Sequence, residues 1–468
     1  MKNAFELNSA RLTGPSPTGG LHTAASVNLH VPSQPTAAPP RGYRVAPTPQ
    51  TKPPLKPKPL VSFVVSTFNR RDVLLQTIDR IHRCGLRSEE YEILIVDNAS
   101  TDGTSDALRQ RHPLIHLLHQ EYNAGPVSKN VAIRAAAGRY VVFLDDDSFP
   151  LPGAVARMMR HFDANPKLGA AVFTITLPDG SRECSAYPDV FIGCGTGFRR
   201  TALEQVGGLP DDFFMQAEEY DLSLRLLAAG YDIKTFGDLH VTHLKSPTAR
   251  ASERTTRLDV RNNLVLITRY FPRQWVLPFA KDWLRRYRMI AASKGHEIAY
   301  YRGLLAGLLR TMRPSNRRPV DEATFEKLVR LEDTALRMAR AVYAHRLKRI
   351  CFVDFGKNML PYYLAAQRCG VQVVAIADDR LGGEKRTYRK IPLLKDAAAR
   401  VLPYDAAIVS NLSPVHAAQR RDAWRKPGTR LVIDLFEDDR YASPASNGVT
   451  SAAGPASPGS RRTVARSA

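Results

Sequence analysis

The chain has 468 residues, 44% of them hydrophobic, and a formal net charge of +22. The length allows two or three domains, and the hydrophobic share is ordinary for globular protein. Residues 1–60 carry seven Lys/Arg against one acid and residues 245–318 carry seventeen against four, so the excess sits in a tail and one middle segment; that argues against the diffuse basic surface of a nucleic-acid binder and fits an anionic membrane face or an anionic acceptor.

Residues 1–59 are rich in Pro, Ser, Thr and Ala and are expected to be disordered, with polyproline character near the end; residues 441–468 read as a second disordered tail. From Leu60 the pattern changes. "LVSFVVSTF" reads as a short strand, and "RDVLLQTIDRIHRCG" has apolar residues at helical spacing up to Gly85. "YEILIVDNAS" reads as a second buried strand and "TSDALRQRH" as a helix, and "PLIHLLHQ", "SKNVAIRAAAG" and "RYVVFLDDD" continue the alternation. Alternating strands and helices predict an α/β fold with a parallel sheet covered on both faces. Ligands of such sheets sit beyond the carboxyl ends of the strands. The polar clusters "STFNR", "DNASTDG" and "DDDS" all fall at such ends.

Residues 273–345 read as a basic helical segment. There Trp275, Trp283, Tyr287 and Tyr300 stand beside Arg residues, a mixture that fits an anionic membrane interface or a solvated positive face equally. "KRICFVDFGKN" then opens a small Rossmann-like α/β domain over residues 346–440. Its turn has only Gly356 where a dinucleotide fingerprint has three glycines, so a structural or regulatory role is expected. Asp378 or Asp379 would be the ribose contact if it held a nucleotide. The five cysteines, Cys84, Cys184, Cys194, Cys351 and Cys369, form no CxxC pair, which argues against a disulfide framework or a zinc site. No apolar run approaches the roughly 20 residues of a transmembrane helix, and the first residues lack a signal-peptide apolar core. The expected location is the cytoplasm, peripheral on the inner face of the membrane.

The chemistry concentrates in two acidic groups. Asp145, Asp146 and Asp147 follow a buried strand directly. Alone they read as a solvated turn, but hard divalent cations are held by one or two carboxylates plus substrate phosphates. "AEEYDLSLRLLAAGY" begins a helix with Glu218, Glu219 and Asp221, where the helix dipole favours negative charge.

Taken in order, "VVSTFNR", "ILIVDNASTDGTSDAL", "NAGPVSKNVAI", "GRYVVFLDDDSFPLPGAV", "GCGTGFRRTALEQVGGLPDDFF", "EEYDLSLRLLAAGY" and "RNNLVLI" resemble glycosyltransferase family 2 over about residues 60–272. The resemblance implies a GT-A nucleotide-sugar-binding domain and inverting transfer from a nucleotide-diphosphate sugar to an acceptor hydroxyl, with a divalent metal (Mn²⁺ or Mg²⁺). The acceptor would be a saccharide or a lipid-linked one, in bacterial cell-surface polysaccharide or glycoconjugate synthesis. It further implies that Thr67, Phe68 and Asn69 lie along base and ribose, with Arg70 at the pocket edge. Asp97 would accept from the base beside Asn98, Asn123 and Lys129 would border the nucleotide, and Asp145 and Asp146 would be on the donor side. Asp145 and Asp147 match the outer acids of the family's DXD motif and would hold the metal with His243, which fits the family spacing better than His240. Glu219, where the family has Asp, would be the base, with Glu218 its rival, and Asp221 would orient the loop. Cys194 reads as a small filler. The rival readings are a nucleotidyltransferase, whose glycine-rich triphosphate loop "STFNRRD" lacks, a basic nucleic-acid-binding protein and a catalytically inactive scaffold.

Overall fold

Nine strands form one mixed sheet in the computed structural model, which describes residues 58–245, 252–312, 317–426 and 430–439. Both expected disordered tails lie outside the described residues, apart from Lys58 and Pro59. The strands are β1 (Val61–Thr67), β2 (Tyr91–Asp97), β3 (His116–His119), β4 (Tyr140–Asp145), β5 (Ser148–Pro150), β6 (Leu168–Thr176), β7 (Arg182–Glu183), β8 (Thr196–Arg199) and β9 (Asp232–His243). Their order is β3-β2-β1-β4-β8-β6-β9-β5, with β7 on β6.

The first four strands are parallel. Val61, Phe63, Val64 and Val65 of β1 are buried on both faces, as a central parallel strand requires. Register brings the polar strand ends to one edge, since Thr67 pairs with Asp97 and Ser66 with Asp145. Beyond β4 the sheet turns mixed: β8 runs antiparallel to both β4 and β6, and β6 is parallel to β9. This is the curled α/β sheet expected of the GT-A type.

The helix Glu253–Tyr270 packs against Arg273–Lys294 and, more extensively, against Glu297–Thr311. Gly303 and Gly307 set that second contact. A Cβ on Gly303 would overlap the Arg257 carbonyl oxygen and lie 3.0 Å from Val260 Cβ. The interface reading of the aromatic residues is corrected here: Trp283, Tyr287 and Tyr300 are buried, and Trp275 packs on the same core. They join Tyr187, Tyr220, Phe325 and Phe352 in one apolar cluster running from the helix Glu218–Ala228 to the second sheet.

The second sheet comprises β10 (Arg349–Val353), β11 (Gln372–Ala377), β12 (Thr387–Tyr388), β13 (Ile391–Leu394), β14 (Ala406–Val409) and β15 (Leu431–Ile433), in the order β12-β13-β11-β10-β14-β15. Apart from the antiparallel β12, its strands are parallel. The order reverses between β10 and β14, where a doubly wound sheet opens its ligand crevice. Here protein fills it. Trp283 Nε1 donates to the Lys357 carbonyl at 2.8 Å, Arg286 Nε to the Phe355 carbonyl at 2.9 Å, and Cys184 Sγ lies 2.9 Å from Ser413 Oγ. Asp378 is used internally as well, its carboxylate accepting the backbone N–H groups of Phe355, Arg380 and Leu381 at 2.8–3.0 Å. Burial pushes that carboxyl up, but these donors hold it below its usual range. Asp378, one candidate ribose contact, is thus largely engaged within the protein, and the other, Asp379, accepts the Asp396 N–H through Oδ1.

Candidate active site

The strand ends of β1 and β4 and the start of the helix Glu218–Ala228 line one cavity of about 690 Å³. Into it face Thr67, Phe68 and Arg70 from the end of β1, Asn98 after β2, Asn123 and Lys129 before and at a helix start, and Asp145, Asp146 and Asp147 after β4. Glu218, Glu219 and His243 face the same space. The two acidic groups, about seventy residues apart in sequence, thus share one cleft.

Three like charges in a row repel, and the structure meets each with a cation. Lys129, itself buried, places Nζ 2.9 Å from Asp145 Oδ1. Arg70 reaches Asp146 at 3.0 Å through Nε and Asp147 at 2.6 Å through its terminal nitrogen. His243 Nε2 lies 3.1 Å from Asp147 Oδ1, and its Nδ1 lies 3.1 Å from Glu183 Oε2. Burial lowers the proton affinity of His243, but hydrogen bonds with Asp147, Cys194 and Glu183 outweigh it and raise the imidazole to about 12. Asp146 also accepts from Thr67 Oγ1 at 3.0 Å, and burial, with its two acidic neighbours, pushes it to about 7 against the pull of Arg70.

Asp145, Cys194 and His243 bring ligand-capable atoms within 4.8 Å of one another, with Asp147 beside His243. Carboxylate oxygens and one imidazole nitrogen suit a hard divalent cation; the thiol does not belong to that set. Cys194, read as a filler, is buried, which raises its thiol, though its sulfur faces the cluster.

The paired glutamates differ sharply. Glu218 is buried, Oε2 has no hydrogen-bond partner, and burial together with the charge of Glu219 holds its carboxyl well above the ordinary value. Glu219 is only partly buried, and a Cβ built on Gly193 would lie 3.7 Å from its Oε1. Asp221 is engaged by Arg225, Arg269 and Tyr270 Oη, an anchor for the helix.

Two expected nucleotide contacts do not line the cavity. Asp97 is buried, with Oδ1 accepting from the Ser100 N–H at 2.9 Å and Oδ2 from Ser105 Oγ. Asn69, at a φ of 53°, turns Oδ1 to the Thr101 N–H at 2.7 Å. Both brace the loops around the site. His240 is not on the cavity wall either. Sequence reasoning missed Glu183, which orients His243 and pairs with Lys245 at 3.1 Å, and Arg254, stacked 3.8 Å from the Phe214 ring centroid at the cavity wall. Glu183 sits on a two-residue strand with no periodic signal.

Residues 62–188 match the family "Glycosyl transferase family 2". A Bacillus subtilis protein named as a teichuronic acid biosynthesis glycosyltransferase is 40% identical over 94 residues, 19% of this chain and 36% of that one. The GalNAc(5)-diNAcBac-PP-undecaprenol beta-1,3-glucosyltransferase of Campylobacter jejuni is 33% identical over 107 residues, 22% of this chain and 34% of that one. An Escherichia coli UDP-Glc:alpha-D-GlcNAc-diphosphoundecaprenol beta-1,3-glucosyltransferase is 26% identical over 185 residues, 36% of this chain and 71% of that one. The chain thus spans 36% and 34% of the length of the first two of these relatives. Among solved structures, the Pyrobaculum calidifontis mannosyltransferase PcManGT in complex with GDP-Man and Mn²⁺ gives a weak overlay, with a TM-score of 0.41 and 22% identity over 67% of this chain and 87% of that one. Residues 62–188 thus match glycosyltransferase family 2, and the relatives found are named for bacterial cell-wall and polysaccharide synthesis.

Proposed function

We propose that this protein moves a sugar, with inversion, from a nucleotide-diphosphate donor to an acceptor hydroxyl in bacterial cell-surface polysaccharide or glycoconjugate synthesis. The observation that carries the reading is the single cavity lined by both Asp145–Asp147 and Glu218–Glu219. The unit spanning residues 60–272 would carry the reaction, with the helical segment 273–345 and the α/β unit 346–440 behind it.

In this reading Thr67, Phe68, Arg70, Asn98 and Asn123 hold the nucleotide, and Lys129 and Arg70 stand ready to meet its phosphates. Asp145, Asp147 and His243 would hold a divalent cation, Mn²⁺ or Mg²⁺, which would displace a proton from the imidazole and offset the negative charge of the diphosphate. Glu219 accepts the acceptor's proton as its oxygen bonds to the anomeric carbon, and the bond to the diphosphate breaks with its electron pair leaving on the phosphate oxygen. Burial and the charge of Glu219 favour the protonated form of Glu218, which would keep one negative charge on the pair, with Glu219 as the base. The names of relatives that act on undecaprenol-linked sugars support a lipid-linked saccharide as acceptor.

The test is release of nucleotide diphosphate from a panel of nucleotide sugars with saccharide acceptors, followed by determination of the anomeric configuration of the product. Retention of configuration, or no release from any donor, would refute it.

A further inference from the structure

The helix Glu297–Thr311 and its cap residue turn an apolar stripe to the outside. Ile298, Tyr301, Leu305, Leu308, Leu309 and Met312 are each 47–76% exposed. Apart from the adjacent Leu308 and Leu309 they recur every three or four positions, and all six occupy one helix face. The opposite face is spoken for, because Gly303 and Gly307 press against Arg257, Val260 and Leu264 of the neighbouring helix. Soluble surfaces seldom carry a contiguous apolar stripe without a partner.

Charge selects the partner. Arg302 is exposed among these residues, and the described part of the segment 252–318 exposes nine Lys/Arg against two acids. A second copy would bring two such basic segments together, and the N-terminal tail, with seven Lys/Arg against one acid over residues 1–60, would be repelled in the same way. An anionic surface with an apolar interior satisfies both features. Fifteen residues make a helix only about 22 Å long, below the roughly 30 Å hydrocarbon core, and no helix among the described residues is long and apolar enough to cross a membrane.

We propose that this outward face of the helix Glu297–Thr311 docks in the plane of an anionic lipid surface, with the stripe in the acyl–headgroup boundary. The partner helix Glu253–Tyr270 begins at the cavity wall, where Ser252, Arg254 and Thr255 stand, so docking brings the cavity mouth near acceptors held in that surface. The benefit to transfer rests on the function proposed above; the docking itself does not.

The experiment is flotation of the full chain with vesicles of phosphatidylcholine alone or mixed with phosphatidylglycerol. The protein floats with the anionic vesicles, less at high salt, and poorly with the neutral ones. Replacing Leu305 and Leu308 together (L305E, L308E) lowers binding by on the order of tenfold or more, while transfer to a soluble acceptor is unchanged. Arg302→Glu, a milder exposed change checked for folding by circular dichroism, weakens binding too. Absence of flotation overturns the proposal. So does undiminished binding by either variant, which would assign it to the basic tail, or a dimer that the double variant dissociates. Loss of transfer to every acceptor with vesicle binding intact would count against the proposed function and leave the docking standing.

Discussion

Lys357 Nζ lies 3.8 Å from the centroid of the Tyr220 ring, so the first loop of the second sheet reaches the residue that follows Glu218 and Glu219. Trp283, 4.4 Å away, and Tyr287, at 5.9 Å, complete an aromatic box around the ammonium.

Burial lowers the Lys357 ammonium to about 7, Asp259 and Glu219 pulling upward and Arg286 downward. Between pH 7 and the ordinary lysine value of 10.5 the unfolded chain holds a proton that the folded chain lacks, so stability rises with pH there. Below about 7 both states are charged and the full cost of burial is present. Lys357→Met should therefore stabilise most below pH 7, with the gain fading towards 10.5 in urea unfolding. A gain of equal size at every pH would place its source elsewhere.

The glutamate pair separates by charge state. Glu219→Gln should lower turnover by on the order of 10²–10⁴-fold, the usual worth of a general base. If Glu218 carries the proton of the pair, as proposed, Glu218→Gln should keep turnover near that of the parent at neutral pH. Steady-state kinetics of the two variants decides; equal losses would reverse the assignment of the base.

Chelation should stop transfer, and Mn²⁺ or Mg²⁺ should restore it. Asp147→Ala should cost on the order of a hundred- to a thousandfold, as removal of a charge-stabilising group does. Cys194→Ala should retain cation-dependent turnover, because a buried protonated thiol is a poor ligand for a hard ion. Metal-titration curves of the two variants distinguish these outcomes.

Gly303→Ala forces a methyl group against the Arg257 carbonyl and Val260. Parting two packed helices should cost about 1–3 kcal/mol, read as a lower urea midpoint with an unchanged slope.

The parallel half of the sheet was legible because β1, β2 and β4 are apolar runs that each stop at a polar cluster, and parallel register aligns those stops at one edge. Asp145–Asp147, Glu218–Glu219 and the preference for His243 over His240 followed from motif order, and the fold brings these residues into one cavity. Asp97 and Asn69 lie off the cavity wall because both are spent on the loop after β2, Asp97 on the Ser100 N–H of its own turn and Asn69 on the Thr101 N–H from across the sheet edge. A sequence does not say which partner a turn residue takes. Trp283, Tyr287 and Tyr300 alternate with Arg just as interfacial residues would; over Trp283 and Tyr287 lies the loop at Lys357, about seventy residues later. The apolar face at Leu305 and Leu308 went unread for the same reason. Helical periodicity defines a face but not its cover.

The filled crevice of the second sheet bears on how the chain tolerates shortening. Trp283 Nε1 and Arg286 Nε find their acceptors on residues 355–357. A protein ending before residue 346 would keep every side chain assigned here to the reaction, yet would strand those donors and lay open the aromatic wall behind Tyr220. The half proposed to carry the reaction is thus a poor candidate for independent expression, and the two halves are better regarded as a single folding partnership than as a core with an appendage.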